Sequence, residues 1–148
     1  MSTPRNWVII GAILAGLGVV FGAFGAHGLE GRLESVYPDA TKNLAGLEVP
    51  ATYKYLRDFN TAAEYHMYHA FGLIALGLVA RTPPARGHLI AAWSFVLGIA
   101  LFSGSLYVLV LTGITKLGMI TPIGGLLMIV AWVAMALGCR GPSGAATP

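Results

Sequence analysis

Four apolar runs divide the chain, and the short segments between them hold nearly all of its charge. Trp7 to Leu29 gives 23 residues without a formal charge, Thr61 to Ala80 gives 20, Leu89 to Leu111 gives 23 and Pro122 to Cys139 gives 18. An α-helix rises about 1.5 Å per residue, so each run can cross roughly 30 Å of hydrocarbon, the last at the short end of the range. A bilayer leaves every backbone polar group to be satisfied within its own segment, which makes helices of these runs. The ten-residue alternating stretches of a barrel are not found. The pattern predicts an all-α fold, a four-helix transmembrane bundle of antiparallel hairpins in one domain, 1–148, with both termini on the same side. Arg5 and the small residues Ala23 and Gly25 give the first run the look of a secretory signal. It is longer than the 7–15 apolar residues of such segments, so it reads as a retained span.

The connectors differ in character. Residues 30–60 form a polar segment of 31 residues, long for a loop without structure of its own. Pro50 suits the first position of a helix. Tyr53, Leu56, Asn60, Ala63, Met67 and Ala70 then follow a three-four spacing, so the second helix is expected to start near Pro50 and rise out of the lipid. Residues 81–88 and 112–121 read as tight turns, and 140–148 as a disordered polar tail.

Composition strengthens this picture: 56% of the 148 residues are hydrophobic and 10% charged, with a mean hydropathy of +0.73. A soluble domain carries about 25% charged residues. Of the fifteen Asp, Glu, Lys and Arg residues, only Glu64 lies inside a run. A net charge of +3 with no basic stripe marks residues flanking membrane spans, and no nucleic-acid partner is expected. The single Cys139 excludes an internal disulfide and a multi-cysteine metal site. Arg5, Arg81, Arg86 and Arg140 fall on the side of the termini without an acid; Arg32, Lys42, Lys54, Arg57 and Lys116 are spread over the longer opposite segments. Basic density therefore places the termini in the cytoplasm, with the chain in the cell (inner) membrane. Trp7 and Trp93 stand near helix ends on the terminal side, as an interfacial belt would.

Small residues mark the packing surface. Gly11, Ala15, Gly18, Gly22 and Gly25 follow a 4-3-4-3 spacing. Such a stripe lets helix backbones approach where lipid supplies no hydrophobic force between helices. It serves packing within one protomer or a homo-oligomer contact. Gly124 and Gly125 are expected to do the same where the fourth helix starts.

Polar residues inside the runs gather in one leaflet: His27, Glu64, Tyr65, His66, Tyr68, His69, Ser103, Ser105, Tyr107 and Thr121. Glu64 and Tyr68 share a helix face with Arg57 and Thr61, whereas His66 and His69 lie on another. A carboxylate, imidazoles and hydroxyls at one depth suit hydrogen-bonded packing, a proton or ion path, or a cofactor pocket. No metal is expected: a di-iron site needs more carboxylates than one, and no zinc, phosphate-loop or dinucleotide motif is present. Haem has one opening, a pair such as His27 and His69 as axial ligands. No catalytic residue is assigned.

Phe21-Gly-Ala-Phe-Gly-Ala-His-Gly-Leu29, Thr61-Ala-Ala-Glu-Tyr-His-Met-Tyr-His-Ala70, Phe102-Ser-Gly-Ser-Leu-Tyr107 and Leu117-Gly-Met-Ile-Thr-Pro-Ile-Gly-Gly125 resemble the YgdD-like family, domain of unknown function 423. The resemblance runs from about residue 7 to 135 apart from the 30–60 connector. It implies a four-helix integral membrane protein with no established activity, and recurrent polar positions at His27, Thr61, Tyr65, Tyr68, His69, Ser103, Ser105, Tyr107, Thr121 and Pro122. Position 66, often Gln in the family, is His66 here, and the connector is longer than usual. The leading expectation is a non-enzymatic accessory or self-associating scaffold protein whose partners are the lipid bilayer and either its own copies or a larger membrane complex. A small oligomeric ion or solute transporter and a haem- or quinone-binding protein are the alternatives.

Overall fold

A computed structural model of the chain describes residues 3–80 and 86–139. Helix α1 (Pro4–His27) is followed after Gly28 by the short α2 (Leu29–Val36), then by the strands β1 (Thr41–Leu44) and β2 (Leu47–Pro50). Helix α3 (Ala51–Val79) leads to α4 (Arg86–Ile99), which passes through a π-helical turn (Ala100–Gly104) into α5 (Ser105–Thr112). A 3₁₀ turn (Thr115–Met119) precedes α6 (Thr121–Gly138). The fold is all-α apart from the hairpin, and the start of α3 directly after Pro50 matches the sequence reading. Helix α4 begins at Arg86, so the last residues of the expected 81–88 turn are helical. The rest of that turn, 81–85, and the 140–148 tail lie outside the described residues.

Among the described residues, three helical stretches are long and apolar enough to cross a membrane: Pro4–His27, Arg86–Thr112 and Thr115–Gly138. Helix α3, which contains the expected second span, is the exception. Glu64, Tyr65, His66, Tyr68 and His69 lower its hydropathy, and it is shielded by neighbours instead. Eleven of its residues are buried against four of α1, so α3 is the central element. The three-four stripe read from the sequence is displaced, because Tyr53 and Asn60 are exposed. The buried stripe runs through Tyr55, Phe59, Ala62, His66, His69, Leu73 and Leu76. The reason is that α3 has two neighbours, α1 on one flank and α4–α5 on the other, and its buried face is centred between them.

Glycines set the α1–α3 contact. A Cβ added at Gly11 would lie 2.9 Å from the Ile74 nitrogen and 3.0 Å from the Ala70 oxygen; at Gly18 it would meet Met67 and His66, and at Gly25 Phe59 and Asn60. Gly77 of α3 faces Val8 and Pro4. Partner numbers on α3 fall as those on α1 rise. Gly22 is different: a Cβ there meets nothing within 4 Å, so it packs nothing within the protomer. Ala15 sits at the rim of the small core of Ala70, Ile99 and Met128. On α4 and α6 the pairs are Gly98 with Met128, Gly124 with Leu101 and Phe102, and Gly138 with His88. Gly125 makes only ordinary contact with the Phe102 ring. Trp7 is 2% exposed and meets the exposed Trp93 edge-on at 5.5 Å. Trp7 is therefore a core residue and not part of an interfacial belt.

The 30–60 connector folds into a cap. Ala45 and Gly46 both have positive φ, 52° and 89°, as a two-residue type I′ turn requires, and the Gly46 N–H donates to Asn43 Oδ1 at 3.0 Å. Leu29, Leu33, Ala51, Tyr55 and Phe59 join Tyr107, Leu109 and Val110 in one apolar cluster. The cap also closes the C-terminus of α5, where the last carbonyls have no partners in their own helix. Gly113, at φ 77°, returns its N–H to the Leu109 carbonyl. Arg32 donates to the Leu111 carbonyl at 3.0 Å, and the Tyr37 hydroxyl lies 3.2 Å from the carbonyls of Leu109 and Val110. Burial, followed by the neighbouring Tyr55 and Asp58, pushes the Tyr37 phenol up to about 12. The neutral phenol thus stabilises the cap fully below the ordinary tyrosine value of about 10, and that contribution is lost as pH rises from about 10 toward 12. The midpoint of thermal unfolding should fall across this window in the wild type. Tyr37→Phe should start lower at pH 8 and fall less; an undiminished fall would detach the effect from this phenol.

Candidate functional site

The expected one-leaflet cluster separates into an internal set, an outward set and one outlier. Internally, His66 is 4% exposed and its Nδ1 lies 3.4 Å from the Tyr107 hydroxyl. Tyr107 stacks on Phe21 at 4.2 Å and tilts against Phe59 at 4.8 Å. One turn along α3, His69 donates from Nδ1 to the Tyr65 carbonyl at 2.6 Å, which fixes its tautomer. Its ring stands among Tyr65, Phe95 and Trp132, with centroids about 6 Å away.

The π-helical turn holds the remaining internal groups. The Ser105 hydroxyl donates to the Phe102 carbonyl at 3.0 Å, and the Thr121 hydroxyl can then donate to Ser105 across a 2.9 Å contact. This ties α5 to the first residue of α6. Ser103 is fully buried, and its hydroxyl has no partner among the described residues. A π-turn widens the helix by one residue and is found often at functional positions. Here the α6 backbone comes against it, since a Cβ on Gly124 would fall 2.3 Å from the Phe102 nitrogen.

Glu64 and Tyr68 face outward from α3 together with Arg57 and Asn60. Tyr65 is 42% exposed but lies on Phe102 at 5.0 Å. Arg57, Thr61 and Glu64 line a shallow groove of about 340 Å³ with Tyr53, Leu56 and Asn60. Among the described residues, the single ion pair joins Lys54 to Asp58, so Arg57 and Glu64 are not bonded to each other.

His27 is the outlier. It ends α1 and is exposed, near the level of Phe59 and Asn60. That is about ten residues, or roughly 15 Å, along α3 from His69. The two imidazoles cannot both ligate one iron, which corrects the haem pairing. Among the described residues, no three His, Cys, Asp or Glu converge as a metal site. Sequence reasoning passed over Arg32 and Tyr37, whose bonds to carbonyls remote in the chain leave no local pattern. It also passed over His88, placed in a turn but buried within α4. His88 Nε2 lies 3.8 Å from Cys139 Sγ, and its Nδ1 has no partner among the described residues.

Comparison with known proteins agrees with a membrane protein of this size. Residues 21–125 match the family model described as protein of unknown function DUF423. The UPF0382 membrane protein YwdK of Bacillus subtilis is 42% identical over 134 residues, covering 90% of this chain and 94% of its own. A UPF0382 membrane protein of Staphylococcus saprophyticus is 40% identical over 134 residues, covering 90% and 96%. Another, of Staphylococcus haemolyticus, is 40% identical over 133 residues, covering 90% and 93%. No solved structure matches. With the family model spanning most of the chain and relatives aligned nearly end to end, this chain belongs to the DUF423 family of membrane proteins of unknown function.

Proposed function

We propose that the chain is a four-helix transmembrane protein without catalytic chemistry of its own, which assembles with its own copies through the outward face of α3. Its four spans run as antiparallel hairpins with both termini on the cytoplasmic side of the inner membrane. The contact orders of α1 with α3 and of α4 with α6 support that arrangement, as does the meeting of Trp7 with Trp93.

The observation that carries the self-association is the position of Glu64. The contacts of Gly11 and Gly18 place the middle of α1 level with His69 and Ala70, so Glu64 stands about 8 Å from mid-span. It is exposed there. A carboxylate facing lipid is costly, about 2.5–3.5 kcal/mol at the bilayer centre on insertion scales and less toward the edge. Asn60, Glu64 and Tyr68 stand at i, i+4 and i+8, and all three are exposed. A parallel two-fold packing of α3 on α3 lets the Tyr68 hydroxyl of each copy donate to Glu64 of the other, with the amides of Asn60 beside them. The exposed Phe71 extends the same contact with apolar area.

Native mass measurement in nanodiscs cut directly from the membrane tests this. The expected result is a dimer, with dissociation raised roughly 3- to 20-fold in Glu64→Ala, the span of about 0.6 to 1.7 kcal/mol found for interhelical hydrogen bonds in membranes. Tyr68→Cys, in a Cys139→Ser background, should cross-link between copies. A strict monomer, or Glu64→Leu raising stability with no change in mass, would make this a lipid-facing surface and end the proposal.

A further inference from the structure

We infer that a buried water molecule sits between α1, α3 and the π-helical turn, held by His66 Nε2 and the Ser103 hydroxyl. Both atoms belong to side chains more than nine-tenths buried, at 4% and 0% exposure, and both lack a hydrogen-bond partner among the described residues. Leaving a buried polar group unsatisfied is costly, and most such groups in native proteins are paired with protein or ordered water. Two orphans at one level of the same core call for one shared partner.

Their levels coincide. His66 meets Tyr107, and Ser103 stands four residues before Tyr107 on the same face of its helix, one turn nearer the middle of the span. On α3 the neighbouring turns are fixed by Tyr65 lying on Phe102 and His69 lying beside Phe95, so Ser103, the residue after Phe102, stands near the height of Tyr65 and His66.

The donors and acceptors balance with one water. Among the described residues the Tyr107 hydroxyl has one polar contact, His66 Nδ1; with the phenol as donor there, the ring proton stands on Nε2. The water accepts from Nε2–H and donates to Ser103 Oγ. A buried water needs two to four polar partners, and His66 Nε2 and Ser103 Oγ supply two. The result is a hydrogen-bonded chain of Tyr107, His66, water and Ser103 that crosses from α5 through α3 and back to the π-turn.

The test is water-edited solid-state NMR of the full chain in bilayers, with labelled histidines assigned by single His→Gln variants. His66 ring signals should receive magnetisation from water nearly as fast as exposed His27 and at least twofold faster than His69. Ser103→Ala removes one atom and should at least halve that transfer, whereas Ser103→Thr keeps the hydroxyl and should retain it. A His66 ring that stays as dry as His69 in the wild type overturns the inference. So does a transfer that Ser103→Ala leaves unchanged.

Discussion

Gly124→Ala should destabilise the protein by about 3 kcal/mol, the upper end of what overpacking a close-packed site costs. The added methyl would fall 2.3 Å from the Phe102 nitrogen, 2.7 Å from the Leu101 carbonyl carbon and 2.8 Å from the Phe102 Cα. All three are backbone atoms, so no side chain can rotate away. Either α6 moves outward, opening its contact with α4, or the π-turn collapses and Ser105 loses its bond to Thr121. Alanine gains up to about 1 kcal/mol over glycine in helix propensity, which offsets only part of this. Gly22→Ala is the control: with nothing within 4 Å of the new methyl, propensity alone acts in the protomer, and stability should hold or rise slightly. The measurement is the unfolding midpoint of both variants in the same detergent. A Gly124→Ala protein as stable as Gly22→Ala would mean that the approach of α6 to the π-turn is looser than 2.3 Å implies.

These two glycines also show what could be read before the fold was known. Both belong to stripes of small residues that predict close helix contact, and Gly11, Gly18 and Gly25 do make it, while Gly22 of the same stripe does not. The reason is physical. In lipid the outer surface of a helix is as apolar as the inner one, so spacing reveals that a face is small without revealing whether a neighbour covers it. The apolar runs themselves are legible because a bilayer demands unbroken hydrophobic length. Helix α3 resists the same reading: its apolar residues and its imidazoles are both internal, and its stripe is centred between two neighbours.

The polar cluster is legible in composition, not in direction. His66 and His69 were placed on a different face from Glu64 and Tyr68, and the fold keeps that separation. It then turns the imidazoles inward and the carboxyl outward, which periodicity alone does not decide. His27 is grouped with them by leaflet, yet it stands about 200° around α1 from Gly25, which faces α3. The hairpin left no signal because Ala45 occupies a positive-φ position where Asn or Asp would have announced a turn. Strands of four residues also fall below the length at which alternation is visible.

Phe59→Ala is the second large effect, expected to cost about 3–5 kcal/mol. Phe59 is fully buried and lies where the membrane helices meet the cap. Its ring stands 4.8 Å from Tyr107 and 5.9 Å from Phe24, and a Cβ on Gly25 would touch it at 3.1 Å. Truncation leaves a cavity that Gly25 cannot fill and that the rings of Tyr107 and Phe24 can close only by leaving their own contacts. The loss should therefore spread to Leu29, Leu33 and Tyr55, which share the cluster, and loosen the cap before the spans. Hydrogen exchange would show this as faster exchange in 29–50 with little change in α4 and α6. Phe71→Ala supplies the comparison on the same helix: its ring is 56% exposed, so its loss should change the stability of the protomer by less than about 0.5 kcal/mol. Equal effects at the two positions would mean that the cap is not packed through Phe59, and that the cluster joining it to α5 rests on Tyr55 and Leu33 instead.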